Sequence, residues 1–488
     1  MKSSLVLPLL VLGAAGNVSI AMAQSAGTFT ATGNMTTPRV WHTATLLPDG
    51  HVLIAGGVAA TGGQNGNLAS AELFDPLTGA FSPTGNLTVA RSQHTATLLA
   101  NGKVLIAGGG NTPVSAELYD PATGTFTATG RLIADGDFLH TATLLPDGRV
   151  LLVALGFSQL YSGPGAQVYD PSTGVFAPTG SPYTAPYGDS SATSLPDGSV
   201  LITQGNEIRA EVYDPRTSAF SLTAWPRIPW VQGSATLLLN GKVLLAGGND
   251  ETGQTESSLA EVYDPSTQIF DHAGSMTEAR AHHTATLLPD GTILIAGSDG
   301  APFGDFDFSL ASAELYDPAT STFTRTGDMN AYRGLHTATL LNNGKVLIAG
   351  GLREDVSQGW VALSSAELYT PASVISAPVL FSLSGDGRGQ GAVWDAATGQ
   401  ITSSQNPAVA GDVLATYTTS LFEGGVIPPQ VAIGGQLAEV LYFGDAPGYP
   451  RYFQVNFRVP NGVALGSAVP VRLTYIGRPS NAVTIGVH

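Results

Sequence analysis

From residue 94 the chain runs HTATLL (94–99), a short polar turn, KVLIAGG (103–109), SAELYDP (115–121) and TFTATG (125–130). Short runs of strand-forming residues with polar or small residues between them predict four antiparallel strands joined by hairpins. Asn101-Gly102 offers the left-handed torsions of a two-residue turn, and Asp120-Pro121 followed by Gly124 presets the next one. The pattern restarts at His42, His94, His140, Ser190, Gly233, His283 and His336, a spacing of 43 to 53 residues. Four strands cannot bury both faces of their small sheet alone, so repeats of this length must stack around an axis. The expected fold is all-β, a seven-bladed β-propeller over residues 24–373.

The fourth strand carries a phenylalanine, at Phe29, Phe81, Phe126, Phe176, Phe220, Phe270 and Phe323. Its first copy precedes the first HTAT and none follows Pro371, so residues 27–33 are expected to complete the last blade. From about Ser376 a different alternation begins, in VAIGGQLAEVLYFG (431–444), RYFQVNFRVP (451–460), VRLTYIG (471–477) and NAVTIGV (481–487). This period-two pattern predicts an antiparallel β-sandwich over 374–488.

At the N-terminus, Lys2, an apolar stretch from Leu5 to about Ala15 and Ala21-Met22-Ala23 have the order of a secretory signal over 1–23. The expected location is therefore secreted, periplasmic or on the cell surface. That apolar run is too short to span a bilayer and no other stretch approaches the necessary length, so membrane insertion is not expected. The 60 glycines and 31 prolines, with only 12% charged residues, agree with many short strands and tight turns. A formal charge of -17 repels phosphate backbones, which argues against nucleic-acid partners. Zero cysteines exclude disulfides, thiolate metal sites and cysteine nucleophiles.

The Gly-Gly ending the second strand, the Tyr of ELYDP, the aromatic of the fourth strand and the Arg before the first resemble the kelch repeat over about residues 25–373. That resemblance implies a kelch β-propeller of the galactose oxidase-like superfamily. The chain departs from it at Leu155-Gly156, Gln204-Gly205 and Gly297-Ser298, and it has Phe where kelch usually has Trp. The C-terminal stretch, through IGGQLAEVLYFGDAPGY and QVNFRVP, is similar to an uncharacterised immunoglobulin-like domain of secreted bacterial proteins, implying a spacer or docking role. RVWHTATLLPDG resembles the stretch in galactose-oxidase-type enzymes where a Tyr-His pair ligates copper. Here the pair is Trp41-His42, the crosslinking cysteine is missing, and the only C-terminal-domain histidine is His488. Neither a metal nor another cofactor is expected.

The repeated His42, His94, His140, His283 and His336 read as structural groups bonding neighbouring backbone. Arg39, Arg91, Arg280 and Arg333, three residues before the repeat start, read as partners of the carboxylates Glu72, Glu117, Glu314 and Glu367; Glu211 and Glu261 share that strand position. The one blade with Asp137 at the Arg position has Gln167 at the Glu position. Asp299, Asp305 and Asp307 could hold calcium, but their spacing is not that of an EF-hand loop and they read as a solvated acidic loop.

Strand-one and strand-three turns lie on one rim and are nearly constant; the loops of the other rim vary and carry aromatics and acids, as binding loops on a rigid scaffold do. Trp225, Trp230, Tyr183, Tyr187 and Trp360, with Asp135, Asp137 and Asp189, are the candidate binding residues. Aromatic rings and carboxylates of this kind suit sugar faces and hydroxyls. The expected function is non-catalytic binding of an extracellular polysaccharide or protein through the variable rim. The alternative is an enzyme on the same face, a carbohydrate-active hydrolase or lyase or a galactose-oxidase-like metal oxidase.

Overall fold

The computed structural model describes residues 27–488 apart from 60–65, 110–114, 134–138, 156–164, 184–189, 205–208, 228–230, 251–254, 300–309, 356 and 358. Seven four-stranded antiparallel sheets form a β-propeller, and one eight-stranded sheet forms a separate unit after it. In blade 2, Thr95–Leu98, Val104–Ala107, Ala116–Asp120 and Thr125–Ala128 pair in chain order.

The second strand shows why the blades must stack. Val104 and Ile106 pack with Leu47 and Leu53 of blade 1, while Leu105 and Ala107 pack with Val150 and Leu152 of blade 3. A strand apolar on both faces thus fills two wedge-shaped cores, each large side chain contributing about 1.5–3 kcal/mol. Third-strand tyrosines reach across as well: Tyr119 Oη lies 2.9 Å from Thr84 Oγ1 of the preceding blade, while its ring meets Phe126 at 4.8 Å.

The Gly-Gly pair is a packing requirement. Gly56 has φ 61°, and a Cβ there would lie 2.5 Å from the Arg91 carbonyl oxygen of the next blade; at Gly57, φ 95°, it would lie 2.8 Å from the Val40 carbonyl oxygen. No side chain fits between those neighbours.

Thr28–Ala31 is the outer strand of blade 7, beside Ala366–Thr370. Phe29 stands opposite Tyr369, with ring centroids 4.8 Å apart. The ring is therefore closed by strands from both ends of the repeat region.

The second unit is one curled sheet in the order Val393–Asp395, Val413–Thr418, Phe453–Arg458, Gln436–Asp445, Gln430–Ile433, Gly466–Tyr475 and Arg478–Pro479, with Val483–Val487 paired to Gly466–Tyr475. It curls around Leu414, Val455, Phe457, Val471, Leu473 and Ile485, consistent with a sandwich-like domain. This sheet is seated on the strand-one turns of the propeller. Val426 N donates to Leu239 O at 3.2 Å and Ala377 N to Asn342 O at 2.7 Å. Ala44, Leu98 and Leu340 of the inner strands bound a cavity of about 540 Å³ together with Leu437 and Arg472 of the curled sheet. The near-constant rim is thus partly occupied within the molecule, and the opposite rim carries the loops.

Candidate functional site at the loop end of the axis

Two repeated networks surround the inner strands. Arg39, fully buried, donates through Nη1 to Gly56 O and Ser70 O and through Nη2 to Glu72 at 2.7 Å; the other Glu72 oxygen accepts Thr36 N–H. Arg91–Glu117, Arg280–Glu314 and Arg333–Glu367 repeat the pair at 2.7, 2.9 and 2.8 Å. In blade 3, Gln167 accepts Ile133 N–H instead. The histidines form the second network. His42 Nε2 lies 3.1 Å from Thr337 Oγ1, His94 Nε2 2.9 Å from Thr43 Oγ1, His283 Nε2 2.8 Å from Ser234 Oγ and His336 Nε2 2.9 Å from Thr284 Oγ1. Each of these Nε2 atoms lies on a hydroxyl of the preceding blade, which explains why Thr or Ser follows the repeat position. Burial, aided by the Arg39 and Arg280 charges, holds the His42 and His283 imidazoles down to about 3, so both are neutral. The His140 side chain lies outside the described set.

Immediately before the repeat position, five non-glycine residues adopt left-handed backbone: Trp41 (φ 55°), Gln93 (55°), Gln232 (61°), His282 (50°) and Leu335 (53°). They are linked into a collar, with Gln93 N donating to Trp41 O, His282 N to Gln232 O and Leu335 N to His282 O, each at 3.0 Å. Such torsions cost roughly 1–3 kcal/mol apiece and persist where surrounding packing enforces them. Blades 5 and 6 hang a polar network on this collar. Asn249 Nδ2 donates to Gln232 Oε1 at 2.6 Å, Ser298 Oγ to Glu256 at 2.6 Å, and His282 Nδ1 lies 2.7 Å from Asp299 Oδ2. The His282 and Asp299 side chains are 22% and 11% exposed, so solvent reaches this histidine while the repeat histidines beside it are sealed. A carboxylate on Nδ1 sets the imidazole tautomer and supports the ring when it takes a proton.

Of the candidates read from sequence, Trp225, Tyr183 and Trp360 are exposed. The Arg209 guanidinium lies 5.4 Å from the Trp225 ring centroid, Tyr183 N donates to Glu211, and Trp360 stands on a hairpin of Leu352–Asp355 and Gly359–Ala362 rising from blade 7. Trp230, Tyr187, Asp135, Asp137, Asp189, Asp305 and Asp307 lie outside the described residues. Trp230 and Tyr187 stand three residues before the repeat starts Gly233 and Ser190, the register at which four other blades carry the buried arginine. Glu261 of blade 5 accordingly meets the Arg227 backbone N–H, and burial pushes its carboxyl up. Asp299, considered for calcium, is committed to His282; among the described residues no group of three His, Asp or Glu is placed to hold a metal. His282 and Glu256 were missed by sequence reasoning. The signal was the doubled histidine of RAHHTATLL, where the second member fills the repeat position and the first is surplus to it.

No known family model matches the sequence, and no curated protein matches it. The fold matches solved structures, among them a fungal alcohol oxidase of the AA5 family in complex with copper, with a TM-score of 0.62 and 18% identity over 95% of this chain and 100% of that one. At that identity the likeness is one of fold alone.

Proposed function

We propose that this protein is an exported kelch-type propeller enzyme that transforms a carbohydrate-like hydroxylated substrate at the loop end of its axis, with His282 as acid–base group and Asp299 as its positioning partner. The observation that carries this reading is the solvent-reached His282–Asp299 pair on strained collar backbone, set apart from repeat histidines locked to hydroxyls. The fold shared with an alcohol oxidase supports an enzyme over a passive binder. The residues nevertheless do not fit that family's copper centre. The chain has no cysteine, Trp41 stands where the resembling stretch has its phenolate, and His42 Nε2 is bonded to Thr337. A substrate hydroxyl brought to the His282 ring would pass its proton to the imidazole, and the Asp299 carboxylate would stabilise the resulting cation. A second reading, glycan or protein binding without turnover, draws support from the exposed Trp225, Tyr183 and Trp360.

The test is a screen of residues 24–488 with EDTA present, against polysaccharides and primary alcohols, reading reducing ends, unsaturated products and peroxide. Turnover that falls about a hundred-fold or more in His282→Gln and in Asp299→Asn is expected, from the usual share of acid–base catalysis. Absence of turnover across the screen, or turnover indifferent to both substitutions, would leave the binding reading in its place. Peroxide that appears only with added copper would restore the metal oxidase.

A further inference from the structure

The face of the curled sheet opposite its core carries an organised set of side chains that nothing at the propeller mouth uses. Along Phe453–Arg458 the residues Phe453, Val455 and Phe457 point into the core, which turns Gln454, Asn456 and Arg458 outward. Strand register places partners beside them. Asn456 lies opposite Ala415 and Tyr442, Gln454 opposite Tyr417 and Gly444, and Arg458 opposite Glu439, with which it is ion-paired at 3.0 Å. Trp394 follows Ala415 in the same row. Gln454 Nε2 donates to Asn456 Oδ1 at 2.8 Å, so the two amides form one polar strip.

Aromatic rings flank that strip. Trp394 meets Tyr417 at 4.9 Å between centroids, and Tyr417 meets Tyr449 at 5.4 Å. On the other side, a β-bulge between Val440 and Tyr442 shifts the register, and the Tyr442 ring lies over Gly444, where a Cβ would come 2.8 Å from its hydroxyl. Bulges re-aim side chains in this way. The loop bearing Tyr449 is braced by Pro447 and Pro450, by Tyr449 N–H to Ala446 O at 3.1 Å and by Ala446 N–H to Tyr452 O at 2.9 Å, and it holds Arg451 at φ 71°. Tyr449 and Tyr442 remain 54% and 45% exposed. Rings fixed by prolines and a strained backbone lose little entropy when a ligand covers them.

We propose that this face is a binding site for a neutral glycan chain, whose pyranose C–H faces pack on Tyr449 and Tyr442 while its hydroxyls exchange hydrogen bonds with Gln454 and Asn456. Charge narrows the class. Arg458 in the strip is neutralised by Glu439, Arg451 on the flanking loop is the other basic group nearby, and the whole chain carries -17, which disfavours sulfated or uronate polymers. The proposal is independent of catalysis at His282.

Affinity electrophoresis of residues 24–488 through native gels containing soluble starch, xyloglucan, galactomannan or mixed-linkage β-glucan tests it, with dextran sulfate as the anionic polymer. Retardation by at least one neutral polymer and none by dextran sulfate is expected. Tyr449→Ala and Asn456→Ala should each weaken the effect ten-fold or more with an unchanged melting temperature, while Leu77→Ala, on an exposed propeller turn, leaves it intact. If Tyr449→Ala lowers the melting temperature, Tyr442→Ala takes its place with the same expected loss. Free migration in all four neutral gels overturns the proposal, as does retardation that survives the platform substitutions or that Leu77→Ala removes.

Discussion

Glu117 and Glu261 occupy the same strand position in two blades and are expected to respond oppositely to the same substitution. Glu117→Gln removes the charge that balances the fully buried Arg91, and breaking such a pair costs about 3–5 kcal/mol. Glu261 meets the Arg227 backbone amide in a site that raises its carboxyl, so Glu261→Gln should leave stability unchanged or increase it at neutral pH. Urea denaturation of the two variants decides this. The buried His42, His283 and His336 contribute to the acid limit of the fold. Their folded pKa values lie far below the unfolded value, so as pH falls from about 6.5 toward about 3 the unfolded chain takes up protons that the native state refuses. Stability is full above that window and declines through it. A melting temperature that drops between pH 7 and pH 4, with a shallower slope in His42→Asn, is the expected result; a flat profile would mean the imidazoles are not held neutral.

At the scale of the strand, the N-terminal Thr28–Ala31 carries the closure of the ring. Deleting residues 24–34 takes away the partner of Ala366–Thr370, uncovers the ring of Tyr369 and leaves an unpaired edge. Calorimetry should show a lower melting temperature for the whole propeller, since each blade is buried only by its neighbours; an unaltered transition would contradict the closure. This element was legible in the sequence because TFTATG is a surplus copy of a local pattern, and the strand and turn signals around it act within a few residues. His282–Asp299 was not legible, since the partners are 17 residues apart, one just before Thr284–Leu287 and the other just after Ile293–Ser298, and the histidine hides in the repeat register. The glycan face escaped for another reason. Period-two alternation identifies outward residues, but only register across four strands shows that the outward ones are two amides flanked by four aromatic rings.

In the whole molecule, the two ends of the propeller axis have different duties. The turn end seats the curled sheet, and the loop end carries the collar with the His282–Asp299 pair. This division makes His282 chemically distinguishable from the buried His42, His94, His283 and His336. The most direct measurement of the central claim is stepwise modification with diethyl pyrocarbonate, following turnover of whichever substrate the screen finds while mass spectrometry maps the labelled histidines. Loss of turnover should track modification of His282 in proportion and be slowed by substrate, with labelling of His51, His272 and His488 immaterial. Full modification of His282 with turnover retained would contradict the account.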